Sequence, residues 1–456
     1  MAQFDALREG SHLTFLLGAG ASAPSGLPDW DEFAVRVAVA SGVVPSREAG
    51  ALLIDKQDPM IVLQGARQRA GASWESILSN ALYAGPEARE RQPSSLHLAA
   101  AGHYETAPTS TTLATLNFDT LLERALMADS GRDVYSSTTE EAGPGGVTVH
   151  HLHGIIDGDL VIDPVVSFTD YADRVASLEA WQRPFLERAL DRGPMLIAGT
   201  TYRDPDLRHW LHTITADPKN RHTSIVTVVR EGLRLTREEF AMLDDALIAE
   251  WQSIGLEALA LQDFADVAGV IRELAYASLP DYRAPSERAR QVWVKHNRRL
   301  AALQVEYAAA LEHDAESMAE AIGATAHRGT LWLAAPNGKL ARWASASTQY
   351  QSAKQMKRVP TGHDSPWISG EAMGAETVRL KDIAKDDRVT PHWRSAIAIP
   401  IMVSDGVLPS FAAAVVTFGL ESTAVAAWER QEMWEATARD LSRDWGTRLS
   451  DIAFNR

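Results

Sequence analysis

The part of this chain that most constrains its fold is residues 13–33, LTFLLGAGASAPSGLPDWDEF. The apolar run at 13–17 reads as a buried strand, and it passes at once into Gly18, Ala19, Gly20, Ala21 and Ser22. A loop rich in Pro and Gly follows, and then Asp29, placed to cap an amphipathic helix over 29–40. A buried strand opening into a small-residue loop is how α/β folds bring backbone N–H groups up to a pyrophosphate. The loop departs from the dinucleotide fingerprint, because Ala23 stands where a third glycine is expected. Taken alone, the stretch fits either a phosphate loop or an ordinary tight turn.

The rest of the first half repeats the strand–helix alternation. Residues 46–103 show helical periodicity over a length too great for one crossover helix, so a small helical insertion, a lid or a partner surface, is expected on the α/β core. Strand patterns follow at 111–117, 147–152, 195–198, 224–229 and 256–261, separated by helical ones at 119–127, 171–190, 204–213, 238–250 and 263–275. Such alternation predicts a mostly parallel, Rossmann-like sheet covered on both faces. The character changes at LPDYRAP (279–285), a plausible hinge. One long helical pattern spans 286–323, with Val292, Leu300, Leu303, Tyr307, Leu311, Met318 and Ile322 near heptad spacing and His296 and Asp314 interrupting it. It reads as a pairing or linker helix. Beyond it, PNGK between two apolar runs signals a hairpin. Strands at 396–403 and 410–418 and a closing amphipathic helix over 423–452 complete an α+β pattern. The expected domains are 1–280, a linker or dimerisation helix at 281–325, and 326–456.

Composition narrows the function classes. A chain of 456 residues, 45% hydrophobic and 23% charged, has the makeup of a soluble globular protein of two or three domains. It holds no cysteine, which excludes disulfides and thiolate zinc sites. The formal net charge of −16 argues against nucleic acid as the main partner. The basic run KHNRR at 295–299 reads as a solvated helix face. No apolar run is long enough to span a bilayer, and the opening MAQFDALREGSH lacks an apolar core of the secretory kind, so a cytoplasmic setting without membrane attachment is expected.

Four features fall where an α/β sheet places its ligand, just past the carboxyl ends of strands. They are the Gly18–Ser22 loop, Thr115-Leu116-Asn117-Phe118-Asp119, His151-Leu152-His153-Gly154, and Gly199-Thr200-Thr201 followed by YRDPDL. Each has a bland reading on its own. Asn117 or Asp119 would serve equally as a helix cap. The two histidines fit a satisfied or solvent-facing pair, and no third metal ligand is evident beside them. The conjunction of all four in this order is what carries weight.

With GAGAS and SGLP, TLNFD, LHG and GTT in that order, residues from about 10 to 275 resemble the sirtuin superfamily. The resemblance implies an NAD site. Gly18, Ala19, Gly20 and Ser22 would hold its phosphates, and Asn117 with Asp119 would stand at the ribose and nicotinamide. His153 would act on a ribose hydroxyl, with His151 as the rival histidine, and Gly199, Thr200 and Thr201 would line the cofactor. Two departures count against a protein deacylase: Asp31 replaces the basic residue expected after the aromatic Trp30, and the four-cysteine zinc module is impossible here. SGLPDWDEF, the helical insertion and GTTYRDPDLRHWL instead look like bacterial sirtuin-like effectors that hydrolyse NAD in anti-phage defence.

That chemistry suits the residues. Cleaving the N-glycosidic bond gives an oxocarbenium-like centre and a neutral leaving group, so the site must orient the substrate, stabilise charge and place a water. Asn117 offers a paired donor and acceptor, and His153 a base that titrates near neutrality. Asp119 would hold Asn117 or the helix start in place. NAD is expected as substrate, with no metal. The alternatives are an NAD-dependent deacylase and a non-catalytic NAD or ADP-ribose sensor. The C-terminal part resembles a GAF-like domain through LWLAAPNGKLARWA, SPWISGEAMGAETVRLKDI, RSAIAIPIMVSDG and FAAAVVTFGL. This implies a small-molecule or protein trigger, or homo-oligomerisation, with Trp343, Trp367, Trp393 and Arg394 as pocket candidates.

Overall fold

All five residues of β1 (Leu13–Leu17) are buried, as expected of a strand covered on both faces. The chain continues through β2 (Thr111–Thr115), β3 (Val134–Ser137), β4 (Val147–His151), the short strands β5 (Ile155–Asp157) and β6 (Leu160–Ile162), then β7 (Met195–Ala198), β8 (Ile225–Val229) and β9 (Glu257–Leu261). Seven of these form one sheet in the order β3-β4-β2-β1-β7-β8-β9, with every neighbouring pair parallel. Strands β5 and β6 form a separate antiparallel hairpin. The predicted Rossmann-like class is thus observed. The edge strand β3 and the β5–β6 hairpin went unpredicted: VYSS is short and half exposed, whereas IIDGDLVI does carry a hairpin signal, Asp157-Gly158 between apolar residues.

This computed structural model describes residue 7 and residues 12–83, 92–177, 180–200, 205–215, 222–383 and 393–455. It separates into two units, Met1–Leu274 and Ala275–Arg456.

The strand order has one consequence for the site. Between β1 and β2 the chain moves to one side of the sheet, and β7 returns to pair with the other side of β1. The crevice at the carboxyl ends of β1 and β7 is therefore the topological switch point, where open α/β sheets bind ligands.

Helices α1 (Trp30–Ala40), α2 (Arg47–Lys56), α3 (Pro59–Ala70) and α4 (Trp74–Tyr83) make up the insertion. Asp29 caps α1 as predicted, accepting from Glu32 N at 2.9 Å. Their core joins Phe33, Val37, Leu63 and Leu78 to Phe118, Ile156 and Val166. The insertion stops at α4. Helix α5 (Ser95–Thr106) belongs to the α/β core instead: its Leu96, Ala99 and Ala100 pack with Phe15, Leu113 and Ile271. All five read as helices in sequence, and packing is what assigns α5 to the sheet. Helix α6 (Leu121–Ser130) follows β2, and the predicted 171–190 helix is two, α7 (Phe168–Ala176) and α8 (Gln182–Arg192). Helices α9 (Pro205–Thr215), α10 (Arg230–Leu233), α11 (Arg237–Gln252) and α12 (Phe264–Glu273) complete the unit.

The second unit begins with α13 (Pro285–Arg298) and α14 (Leu300–Ile322), broken at Arg299 where one continuous helix was expected. Its sheet comprises β10 (Ala326–Ala334), β11 (Lys339–Ser345), β12 (Arg358–Pro360), β13 (Arg379–Asp382), β14 (Ser395–Val403) and β15 (Phe411–Leu420), in the order β12-β11-β10-β15-β14-β13. Every pair is antiparallel. The Asn337-Gly338 hairpin is present, with Gly338 at φ 71°. Helix α15 (Ile368–Ala375) covers one face through Ala372 against Trp332, Leu340 and Val415. Helices α13, α14 and, after the short α16 (Ala424–Trp428), α17 (Gln431–Phe454) cover the other.

The near-heptad residues Val292, Leu303, Tyr307, Leu311, Met318 and Ile322 all lie inside this unit's own core. The stripe read as a pairing surface is thus occupied by the unit's own sheet and helices. The two polar residues that interrupt it are also buried and paired. His296 reaches Val292 O at 2.8 Å and the Tyr307 hydroxyl at 3.1 Å, and burial pushes its pKa down to about 4. Asp314 accepts from Trp445 Nε1 at 2.7 Å. With His296 buried, KHNRR is not the uniformly solvated face expected. Trp445→Phe keeps most of the ring but strips Asp314 of this donor, and it is expected to cost about 1–3 kcal/mol in urea unfolding; unchanged stability would show that the bond contributes nothing.

Candidate functional site

The site starts where β1 ends. Gly18 N donates to Ala198 O at 2.8 Å, and Gly20 N donates to Gly199 O at 2.8 Å, so the loops after β1 and β7 are joined backbone to backbone. A side chain would break this contact. A Cβ on Gly18 would lie 2.7 Å from the Gly199 oxygen, and one on Gly20 would meet the Phe264 ring at 2.4 Å. Gly199 itself sits at φ 73°, the left-handed region that favours glycine. After Gly18 the chain makes two tight turns, Ala19–Ala21 and Ala23–Ser25, with Gly26 at φ 81° closing the second. Thr200 adjoins Gly18, while Thr201 lies outside the described residues.

The motif TLNFD is sorted by side. Leu116 joins the core under β7 and β8, and Phe118 joins the insertion core, 5.9 Å from the Phe33 ring. Thr115, Asn117 and Asp119 are buried among polar partners instead. Thr115 Oγ1 donates to Leu17 O at 3.0 Å and accepts from Asn117 N at 3.0 Å. Asn117 Nδ2 donates to Ser22 Oγ at 2.8 Å. Asp119 accepts from Leu121 N at 3.1 Å and from the Ser22 hydroxyl, and burial raises its pKa against the pull of those two bonds. Asp119 thus supports the helix start and the loop serine together, and it reaches Asn117 through Ser22.

His97 is a participant that sequence reading missed. It caps α5 with Ser94, accepting from Ser94 N at Nδ1 over 3.2 Å. That leaves Nε2–H directed at Ser22 Oγ, 3.5 Å away. Complete burial pushes its pKa down to about 4, in keeping with a neutral ring. Ser94-x-x-His97 is legible as a helix start, but nothing local to it points to Ser22, 75 positions away in sequence. Ser22 therefore receives two donors and gives one proton, which exhausts a hydroxyl. Within this network the Asn117 Oδ1 is buried and has no partner among the described residues.

The two histidines of HLHG take different places. His151 is fully buried, with Nδ1 at 2.9 Å from Asn117 O and Nε2 at 2.7 Å from Glu123 Oε1. Burial opposes charge on its ring, but the adjoining Glu123 carboxylate more than offsets this and raises the pKa. Glu123 is likewise disfavoured by burial and held below its ordinary value by His151. His153 lies two residues on, past the end of β4, its ring 5.8 Å from Trp210 of α9. Gly154 follows at φ 92°, where a Cβ would strike the Asp163 carbonyl oxygen at 2.3 Å. The turn between is anchored by Leu152 O, which accepts from Arg174 at 2.6 Å and from Gln182 at 3.3 Å. His151 thus ends β4 inside the core, whereas His153 lies beyond the strand end beside the Trp210 ring.

Gly18, Gly20 and Gly199 thus meet directly, and Ser22, Asn117 and Asp119 form one hydrogen-bonded group with His97. A cleft of about 310 Å³ opens along the insertion, lined by Trp30, Ile54, Pro59, Met60 and Arg208 among others. In the second unit the suggested pocket residues do not converge. Trp343 is fully buried on the helical face, donating to Asn297 Oδ1 at 3.2 Å. Trp367 is exposed at the start of α15 with Lys357 Nζ 3.5 Å over its ring. Trp393 and Arg394 precede β14, and the Trp393 ring lies against Gly419.

Residues 111–259 match a family model described as a SIR2-like domain. No curated protein sequence matches the chain. Among solved structures it is similar to a Sir2 homolog–NAD complex at 19% identity, covering 60% of this chain and 94% of that one with a TM-score of 0.35. It is similar also to Sir2 in complex with the inhibitor EX-527, 2'-O-acetyl-ADP-ribose and deacetylated p53 peptide, at 17% identity, 61% and 100% coverage and a TM-score of 0.31. A Sir2–p53 peptide–NAD+ structure matches at 16% identity, 61% and 98% coverage and a TM-score of 0.33.

The histidine under Ser22 has a measurable signature. The folded protein keeps His97 neutral down to about pH 4, whereas the unfolded chain protonates it near the ordinary value of 6.5. Between those values the unfolded state binds more protons, so this contribution to stability is lost as pH falls from 6.5 towards 4. His97→Gln is expected to flatten the decline in stability between pH 7 and pH 5 in urea unfolding. An unaltered slope would mean that the ring is not held neutral.

Proposed function

We propose that the first unit binds NAD at the switch point between β1 and β7 and hydrolyses it to nicotinamide and ADP-ribose. The observation that carries this reading is the Asn117 carboxamide: buried, held by Ser22 through Nδ2, and presenting an acceptor, Oδ1, with no partner among the described residues. A buried polar atom left in that condition costs stability, which a substrate hydroxyl or an attacking water would recover. The glycine-only contact of Gly18 and Gly20 with Gly199 supports a close backbone approach by a pyrophosphate. The match of residues 111–259 to a SIR2-like domain supports NAD as the substrate.

The proposed steps use this chain's own groups. The bond between the ribose carbon and the nicotinamide nitrogen breaks with its electron pair passing to the ring, which leaves as neutral nicotinamide. Water then adds to the oxocarbenium-like carbon and gives up a proton. Asn117 orients that water or the ribose hydroxyl through Oδ1, and His153 takes the proton or fixes the neighbouring hydroxyl. The buried Asp119 carboxyl acts in this reading by holding Ser22, and through it Asn117, in place. No step calls for a metal. Gly18, Ala19, Gly20, Gly199, Thr200 and Thr201 hold the cofactor-like substrate in this reading, and Ser22, whose hydroxyl is already saturated, acts through Asn117.

Unrestrained NAD loss would be lethal to the host cell, so the same reading makes this a regulated, cytoplasmic effector of anti-phage defence, with a GAF-like second unit as its control element. The antiparallel sheet flanked by helices supports that assignment. The buried heptad stripe directs any homo-oligomeric contact elsewhere, and the exposed Val425, Trp428 and Met433 support a surface at α16 and the first turn of α17.

Purified full-length protein incubated with NAD is expected to release nicotinamide and ADP-ribose, more steeply as protein concentration rises if assembly is the trigger. Asn117→Ala and His153→Ala should each lower turnover by at least roughly 100-fold. Nicotinamide release only in the presence of an acylated peptide would identify a deacylase instead. Tight NAD binding without turnover at any protein concentration would identify a sensor.

A further inference from the structure

Glu123 and His151 take no part in the proposed steps, yet both are buried, and Glu123 is bonded to His151, which in turn reaches the Asn117 carbonyl. The parallel register sets Thr115 opposite His151, so when the chain leaves β2 two residues later the Asn117 carbonyl comes within reach of the imidazole. A carbonyl only accepts, so Nδ1 carries a proton. The 2.7 Å separation between Nε2 and Glu123 Oε1 places another proton between those two atoms. Glu123 is on the first turn of α6 and is itself fixed from a third element, because Ser136 of β3 donates to Oε1 at 2.5 Å.

We propose that Glu123 and His151 form a buried ion pair that positions Asn117, clamping its backbone carbonyl so that the carboxamide is aimed at the ligand. The clamp acts with Ser22: His151 holds the main chain from below the strand end, Ser22 holds Nδ2, and Oδ1 is the one polar atom of the side chain left for substrate. The charged and titratable groups around the pair are Asp119 from the β2 end, which favours charge on the ring, His150 beside it on β4, His97 of α5 and Tyr83 of α4. The directions of shift, His151 up and Glu123 down, agree with a charged pair. Neither residue need touch substrate; they are positioning residues. The proposal deepens the function proposed above and depends on it for what Asn117 does.

The test combines kinetics with a readout that needs no turnover. In full-length protein the ring 15N signals of His151 are expected to show both nitrogens protonated at pH 7.5, and Glu123→Gln should convert them to a neutral ring. Glu123→Ala and His151→Phe are expected to lower kcat for NAD roughly 10- to 100-fold with KM within about threefold, the pattern of a misaimed side chain. His151→Asn, whose Nδ2 stands near the place of imidazole Nδ1, should recover most of that loss, which a merely structural role would not predict. Where Glu123→Ala does not fold, the isosteric Glu123→Gln supplies the comparison with a smaller loss. A neutral His151 in the parent protein, unchanged kcat in the variants, or a loss confined to KM would each overturn the proposal. If the parent protein does not cleave NAD, the hydrolase reading fails by itself and the pair is judged from the Asn117 carboxamide signal. A signal that averages in Glu123→Ala supports the clamp, and one that stays in place overturns it.

Discussion

The architecture of the first unit depends on a contact that contains no side chains. Gly18, Gly20 and Gly199 bring the ends of two adjacent parallel strands to hydrogen-bonding distance. Methyl groups at these positions would sit inside van der Waals contact with backbone or with the Phe264 ring. The small-residue loop therefore joins the ends of β1 and β7, with the N–H groups of Gly18, Gly20, Ala21 and Ser22 all bonded to carbonyls of the two loops and of β7. An αL conformation at Gly199 is part of the same requirement, since other residues adopt it at a cost of about 1–2 kcal/mol.

Around that contact lies a polar network that is nearly complete. Ser22 is saturated, Thr115 bridges two strands, and His97 is held neutral beneath the loop. Buried polar groups in this state specify one arrangement, because any rearrangement strands a donor or an acceptor. The network is closed around Ser22 and stays open at two buried oxygens, Asn117 Oδ1 and Glu123 Oε2, which have no partner among the described residues. In the second unit the buried polar pairs His296–Tyr307 and Asp314–Trp445 are closed. Those residues complete a core, although in the heptad pattern they stood out as defects.

Much of the fold was legible because its signals are local. Four apolar residues and a threonine followed by glycine marked β1, and alternation of strand and helix patterns marked the parallel sheet. Asp29 marked a helix start, and Asn337-Gly338 a hairpin. The site motifs were legible for the same reason, since each sits at a strand end. What escaped was non-local or weakly patterned. The edge strand β3 is short and half exposed, and the β5–β6 hairpin has three residues on each side. Helix α5 looked like part of the insertion until its packing against the sheet was known.

The sequence by itself determined the α/β class of the first unit, the antiparallel character of the second, and the position of the four motifs at strand ends. Periodicity and turn preferences act over a few residues and need no knowledge of what packs where. Only the tertiary structure separated His151 from His153, recruited His97 and Glu123 to the neighbourhood of Asn117, and turned the heptad stripe inward. Those outcomes depend on strand order and register, which bring together residues 34, 75 and 95 positions apart in the chain. No pattern within a single segment encodes such a meeting.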